Sequence, residues 1–171
     1  GKAAPGVEIK IAKDKNKSKN GEIWIKGKNV IENYWNSEFP EKFEDGWLKT
    51  GDLGFFEDEF LYLTGRKDHV INVGGEKVNP EEIENIVKMM DSIDDVVAIG
   101  IDHKLFGQVI KLLIKTSDNN KIEPKSVIIH CKKNLERYKV PTEVEFVRDF
   151  PRNEHGKIIR LMIKDNNHES S

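Results

Sequence analysis

The chain has 171 residues, with 28 Lys+Arg against 30 Asp+Glu for a net charge of −2, and is 37% hydrophobic and 34% charged. That length suits one ordinary domain, or a small domain beside part of another, with a core that needs no disulfide or metal staple. The balanced charge excludes a general drive toward nucleic acid or an anionic membrane. No run of apolar residues is long enough for a transmembrane span, and Gly1 to Gly6 shows no apolar signal core. The lone Cys131 excludes an internal disulfide and fits a reducing, cytoplasmic compartment.

Val7 to Ile11 alternates as a half-buried strand does, yet begins only six residues in, so the start reads as a cut from a longer chain. Lys13 to Asn20 reads as a solvated hairpin loop, and Gly21 to Gly27 as a second alternating strand that pairs with the first. Asn29 to Phe43 is aromatic-rich and irregular, broken by Pro40. Short strands are expected at Leu48 to Thr50, Leu53 to Phe56 and Phe60 to Leu63, in an antiparallel meander.

A boundary falls at Gly65 to Asp68. Beyond it, His69 to Val73 reads as a strand, followed by Gly74-Gly75. A helix then opens on an Asn79 cap, with Pro80 at its first position, Glu82 completing a capping box, and an apolar stripe of Ile83, Ile86, Val87 and Met90. Val96 to Ile101 and Val109 to Ile114 are strands, with a turn over Asp102 to Gly107. Ser126 to Leu135 is a helix with Val127, Ile128, Cys131 and Leu135 inward. Val144 to Val147 is a strand, Ile158 to Ile163 begins a terminal helix, and the tail from Asn166 frays. The order β-α-β-β-α-β-α predicts a small α+β domain, a mostly antiparallel sheet with helices packed on it.

Four polar segments stand out, and each has two readings. Thr50-Gly51-Asp52 either caps a turn or offers a carboxylate to a diol. Gly65-Arg66-Lys67-Asp68 is either a charged interdomain turn or a guanidinium fork for a hydroxyl or phosphate. Gly74-Gly75 either reverses the chain or lets a ligand approach the backbone. The segment from Pro151 to Lys157 is either a surface loop or a lysine presented to an anionic substrate. His69, His103, His130, His155 and His168 form no close-spaced zinc pattern, Cys131 lacks companions, and no metal site is expected. There is no G-x-S-x-G, H-E-x-x-H or G-x-G-x-x-G.

In this order the segments resemble the C-terminal end of the adenylate-forming acyl-CoA synthetases, the family that includes luciferase and peptide-synthetase adenylation domains. The matching text is GEIWIKG at 21–27, GWLKTGDLG at 46–54, LTGRKDHVINVGGEKVNPEEIE at 63–84, YKVP at 138–141 and PRNEHGKIIR at 151–160. The resemblance implies β strands from the end of a large N-terminal domain over residues 1–64, a hinge at 65–68 and a mobile C-terminal lid domain over 69–171. It implies that a carboxylic acid and ATP, with Mg²⁺, give an acyl-adenylate, and that the acyl group then passes to CoA. Under it, Asp52 looks like the carboxylate that holds the ribose hydroxyls, and Arg66 like an arginine contacting the same region. Asp68 looks like the hinge residue, Gly74 and Gly75 fall in the loop that nears the thiol, and Lys157 looks like the lysine bridging carboxylate and phosphate oxygens. Two departures are Asn72, where many members carry Lys, and Asn153, where many carry Thr. The expected activity is that of a fatty-acid–CoA ligase, with this chain alone inactive. The alternatives are an adenylation domain of a peptide synthetase, a carrier-protein ligase, or a noncatalytic binding module on the same fold.

Overall fold

A computed structural model of the protein describes residues 1–12, 19–31, 40–117, 122–160 and 162–163. The chain divides into two units, Gly1–Asp68 and His69–Ser171. Most of the expected loop over Lys13 to Asn20, most of the irregular stretch over Asn29 to Phe43, and the tail from Asn166 lie outside the described residues.

Unit one is an antiparallel sheet of β1 (Val7–Ala12), β2 (Gly21–Gly27), β3 (Phe43–Glu44), β4 (Trp47–Glu57) and β5 (Phe60–Arg66). The register puts Ile9 opposite Ile25 and Ile11 opposite Ile23, so the alternating apolar residues of both strands share one face. On the other face Lys10 lies opposite Trp24, and its ammonium stands 4.5 Å from the Trp24 ring centre and 4.4 Å from that of Trp47.

The two short strands expected at Leu48 to Thr50 and Leu53 to Phe56 are instead one strand, β4. It is interrupted by a bulge: Glu22 pairs with Leu53, but Trp24 pairs with Lys49, so β4 spends extra residues at Thr50-Gly51-Asp52. Within the bulge the Thr50 hydroxyl donates to the Ile23 carbonyl at 2.8 Å and accepts from the Asp52 N–H at 3.0 Å.

Unit two contains β6 (Ile71–Val73), β7 (Glu76–Val78), α1 (Pro80–Lys88), β8 (Ile93–His103), β9 (Gly107–Thr116), α2 (Pro124–Asn134) and β10 (Glu143–Phe146). The sheet runs β10-β9-β6-β7, with β8 paired to β9; β10 lies parallel to β9 and the other pairings are antiparallel. The expected α+β layout with a mostly antiparallel sheet is the one observed.

Three local expectations change. The strand expected from His69 starts only at Ile71, because Lys67–His69 forms a 3-10 turn. Gly74-Gly75 does reverse the chain, as one of its two readings has it, but it turns a two-residue hairpin from β6 into β7 instead of linking the strand to the helix. Their φ values of 59° and 93° are both positive, a conformation suited to glycine in such turns. β7 was invisible to periodicity because it has three residues, of which only Val78 is buried. The Asn79 side chain does cap α1, accepting from the Glu81 N–H at 3.4 Å. No reciprocal capping box forms with Glu82, whose carboxylate instead accepts from Lys139 Nζ at 2.8 Å.

β8 explains the run Val96-Val97-Ala98-Ile99, which is buried throughout. Val96 and Ala98 face the core under α1 and α2, with Ile83, Val87, Val127 and Cys131. Val97 and Ile99 face the opposite side, against Leu113, Phe150 and Ile163. The sheet is therefore covered on both faces, and Phe150, Ile158 and Ile163 belong to the second cover. Each fully buried aliphatic side chain contributes about 1.5–3 kcal/mol.

Candidate functional site

In unit one, three of the expected site residues meet. Pairing of β4 with β5 sets Asp52 opposite Arg66. Arg66 NH1 donates to Asp52 Oδ1 at 3.0 Å and to the Thr50 carbonyl at 3.3 Å. Its Nε donates to Asp68 Oδ1 at 3.1 Å and NH2 to Asp68 Oδ2 at 3.5 Å. The hydrogen bond to Asp68 is the chief reason the guanidinium holds its proton even more firmly than usual; partial burial opposes this, and Asp52 reinforces it.

Gly51, with φ 76°, allows this packing, since a methyl group there would lie 3.1 Å from Arg66 NH2. Beside the cluster is a depression of about 280 Å³ lined by Glu22, Lys49, Thr50, Gly51, Arg66 and Lys67 among others. The second oxygen of Asp52, Oδ2, has no protein partner among the described residues. A carboxylate oxygen on one strand and a guanidinium on the next make a donor–acceptor pair suited to a polar, hydroxylated ligand.

In unit two, the Gly74-Gly75 turn is tied to the tip of the β8–β9 hairpin. The Gly74 N–H donates to the Phe106 carbonyl at 2.8 Å, and Val73 pairs with Gly107. Asn72 uses its backbone N–H to reach Gln108 Oε1 at 3.0 Å.

Lys157 stands on a tightly wound loop. The Asn153 side chain accepts from the N–H groups of His155 at 3.0 Å and Lys157 at 2.8 Å. The Asn153 N–H donates to the Lys157 carbonyl at 2.9 Å, and the Gly156 N–H donates to the Asn153 carbonyl at 2.9 Å. Arg152 pairs with Ile158 in an isolated bridge. Asn153, the departure noted in the sequence, thus organises the loop by holding two N–H groups on one carbonyl oxygen. Lys157 is exposed, and its ammonium has no ion pair or hydrogen bond among the described residues. It is a full positive charge on a fixed backbone.

Neighbouring groups hold this loop: Arg152 and Arg160 stand in the matching segment at 151–160, but their partners Asp95 and Glu84 were given no role from the sequence. Glu84 is only 7% exposed and faces Arg160, whose NH2 donates to Glu84 Oε2 at 2.6 Å. The other Glu84 oxygen accepts from the Ala98 N–H at 2.7 Å, and Arg160 NH1 donates to the Ala98 carbonyl at 3.3 Å. Burial pushes the Glu84 carboxyl above its usual range, and Arg160 opposes the shift. At the start of the loop, Arg152 pairs with Asp95 and donates to the Gly156 carbonyl at 2.8 Å. Periodicity could not reveal the Glu84–Arg160 pair, because the partners are 76 positions apart.

Among the described residues no group of three or more His, Cys, Asp or Glu gathers to hold a metal ion. These residues offer no cage for the Mg²⁺ that the resemblance implies. No helix among the described residues is long and apolar enough to cross a membrane.

Residues 82–157 match the family described as the AMP-binding enzyme C-terminal domain. The chain is 34% identical over 172 residues to a long-chain-fatty-acid–CoA ligase of Haemophilus influenzae, covering 96% of this chain and 30% of that protein. It is 35% identical over 175 residues to an oxalate–CoA ligase of Saccharomyces cerevisiae, covering 97% and 32%. Among solved structures, an o-succinylbenzoate CoA synthetase from Bacillus subtilis, in complex with its acyl-adenylate intermediate, matches with a TM-score of 0.88. The identity there is 32%, covering 96% of this chain and 35% of that one. The chain therefore spans about a third of the length of these relatives.

Proposed function

Because the chain belongs to the adenylate-forming AMP-binding enzymes, we propose that it is the C-terminal portion of an ATP-dependent, AMP-forming acyl-CoA ligase. The observation that carries this reading is Lys157: a cation without a partner among the described residues, held on a loop whose own backbone groups are bonded to Asn153. In the first half-reaction the substrate carboxylate attacks the α-phosphorus of ATP. The acyl–phosphate bond forms, the α–β bond breaks and pyrophosphate leaves. Two anionic groups must meet, and an ammonium aimed between them offsets the charge that spreads over their oxygens. In the second half-reaction the CoA thiolate attacks the acyl carbonyl, and AMP leaves.

Asp52 and Arg66 serve as the ribose-side contacts, where Asp52 Oδ2 accepts from a hydroxyl. This is positioning rather than proton transfer. The Gly74-Gly75 turn serves the thiol step. Its anchor is Phe106–Gly107, whereas the Lys157 loop is anchored at Asp95, which pairs with Lys115. Along β9, Gly107 lies about 25 Å from Lys115, opposite Asp95, and about 16 Å from Leu112, opposite the loop's other hold at Ala98, at strand rise. A single reaction centre can meet one anchor at a time, which supports rotation of unit two about the hinge at Asp68 between half-reactions.

The relatives' names favour CoA as the acceptor. The Haemophilus relative takes a long-chain fatty acid and the yeast relative oxalate. This third of the molecule is thus shared by enzymes for unlike acids, and acid choice belongs to the remainder. We favour a fatty acid here, acting in the cytoplasm. The test is acid-dependent ATP–pyrophosphate exchange, followed by CoA-dependent AMP release, by the full-length protein on acids from oxalate to palmitate. Exchange that depends on the acid is expected, with none from the 171-residue chain alone. A full-length protein that exchanges pyrophosphate with no acid in the series would overturn the reading.

A further inference from the structure

We infer that Glu84 and Arg160 are positioning residues for Lys157: together with Arg152 and Asp95 they form a two-point clamp that fixes the lysine loop to the edge of β8. This rests on the reading of Lys157 as the adenylation lysine. Among the described residues β8 pairs only with β9, so its other edge is unpaired. The loop takes hold there twice. Arg152 reaches the Asp95 carboxylate and the Gly156 carbonyl. Eight residues on, Arg160 reaches Glu84 and the Ala98 carbonyl, while Glu84 takes the Ala98 N–H. Both edge groups of Ala98 are thereby occupied. Lys157 lies between the anchors, and the bond from the Ile159 N–H to the Pro151 carbonyl, 2.9 Å, closes the base of the loop.

Packing alone does not call for this pair. α1 already meets β8 through Ile83 and Val87 against Val96 and Ala98. A buried ion pair is often replaceable by apolar side chains without loss of stability, so burial of Glu84 and Arg160 is not the simplest way to join those elements. Phe150 and Ile163 hold the ends of the segment through apolar contacts, which are non-directional. The Arg160 fork is directional: its two bonds, 2.6 Å and 3.3 Å, fix the heading of the chain three residues after Lys157.

The experiment compares wild type, Glu84→Met/Arg160→Met, Arg160→Lys and Lys157→Ala in the full-length protein. Melting temperature, both half-reactions and amide exchange are measured on each. In the double Met variant we expect a melting temperature within a few degrees of wild type and adenylation kcat lowered by about 10–100-fold. The KM for ATP and thioester formation from supplied acyl-adenylate stay within about twofold of wild type, since neither loses a contact. Amide exchange at Gly156, Lys157 and Ile159 quickens, while that in β9 does not.

Arg160→Lys, which keeps the charge opposite Glu84 but loses the fork, should fold and show the same split at smaller amplitude. It carries the test if the double variant does not fold. Wild-type adenylation in a folded variant, or unaltered exchange in the loop, would overturn the clamp. Lys157→Ala separates the two ideas: if it leaves adenylation intact, the role of the lysine fails, and loop exchange still decides whether the clamp exists.

Discussion

The Asp52–Arg66 cluster of unit one and the Lys157 loop of unit two carry charge under opposite constraints. In unit one the guanidinium is satisfied at home, bonded to Asp52, to Asp68 and to the Thr50 carbonyl. In unit two the ammonium is unmatched among the described residues, and every nearby bond belongs to the backbone of the loop or to its flanking arginines. A group that only orients a ligand tolerates partners of its own, because exchanging one partner for another costs little. A group that must neutralise charge arising during a reaction gains from having none. Its placement is then left to neighbours, here Asn153, Arg152 and Arg160.

This contrast can be broken or sharpened by substitution, beginning with the groups that do the placing. Arg160→Ala leaves the buried Glu84 carboxylate without its cation and should destabilise the protein by about 3–5 kcal/mol. Chemical denaturation measures this; a loss below 1 kcal/mol would mean that Glu84 finds another partner or water. Lys157→Ala should lower adenylation by about 10²–10³-fold, the usual cost of removing one donor from a charge-stabilising site. The same variant should leave stability within about 0.5 kcal/mol, because the side chain touches nothing that folding uses. A large stability change would reveal a hidden partner for the lysine.

Smaller effects follow. Asn153→Ala removes the acceptor for two N–H groups of an exposed loop, a loss of about 1 kcal/mol. Adenylation should fall by about tenfold through a loosened Lys157, which pre-steady-state pyrophosphate release would detect. Asp52→Asn should cost less than about 1 kcal/mol, because the pair with Arg66 is close to half exposed and screened by water. Its effect should appear as a raised KM for ATP; an unchanged KM would remove Asp52 from the nucleotide site.

The smallest effect concerns Cys131, whose thiol is pushed up to about 11 by burial on the inward side of α2. At pH 8 a thiol reagent should label it only as fast as the protein unfolds. Rapid labelling would show that this core opens locally.

Much of this was legible in the sequence, for physical reasons. The strands Val7–Ala12 and Gly21–Gly27 declare themselves by alternation of apolar and polar residues, although burial follows it only in part: Ile23 is buried, and no residue of β1 is. Helix α1 does so because Asn79-Pro80 marks its start and the apolar stripe its buried side. β7 escaped because three residues cannot display a period. The bulge in β4 escaped because Thr50-Gly51-Asp52 has the composition of a turn, while its pairing with β2 is settled only across the sheet. The site residues came from motif resemblance rather than pattern. Structure adds that Asp52, Arg66 and Asp68 touch, and that Lys157 has no partner among the described residues. Glu84 was hidden by its place on a helix of charged residues, since nothing local distinguishes a solvated glutamate from one that meets an arginine 76 positions later.

The most direct test of the account is where the free charge goes. The full-length protein should be crystallised with a non-hydrolysable acyl-adenylate analogue, and the position of Lys157 Nζ measured relative to the bridging acyl and phosphate oxygens. The account predicts hydrogen-bond distance, about 3 Å, in the orientation of unit two that serves adenylation. An ammonium held well beyond that reach, with another cation of the protein in its place, would contradict it.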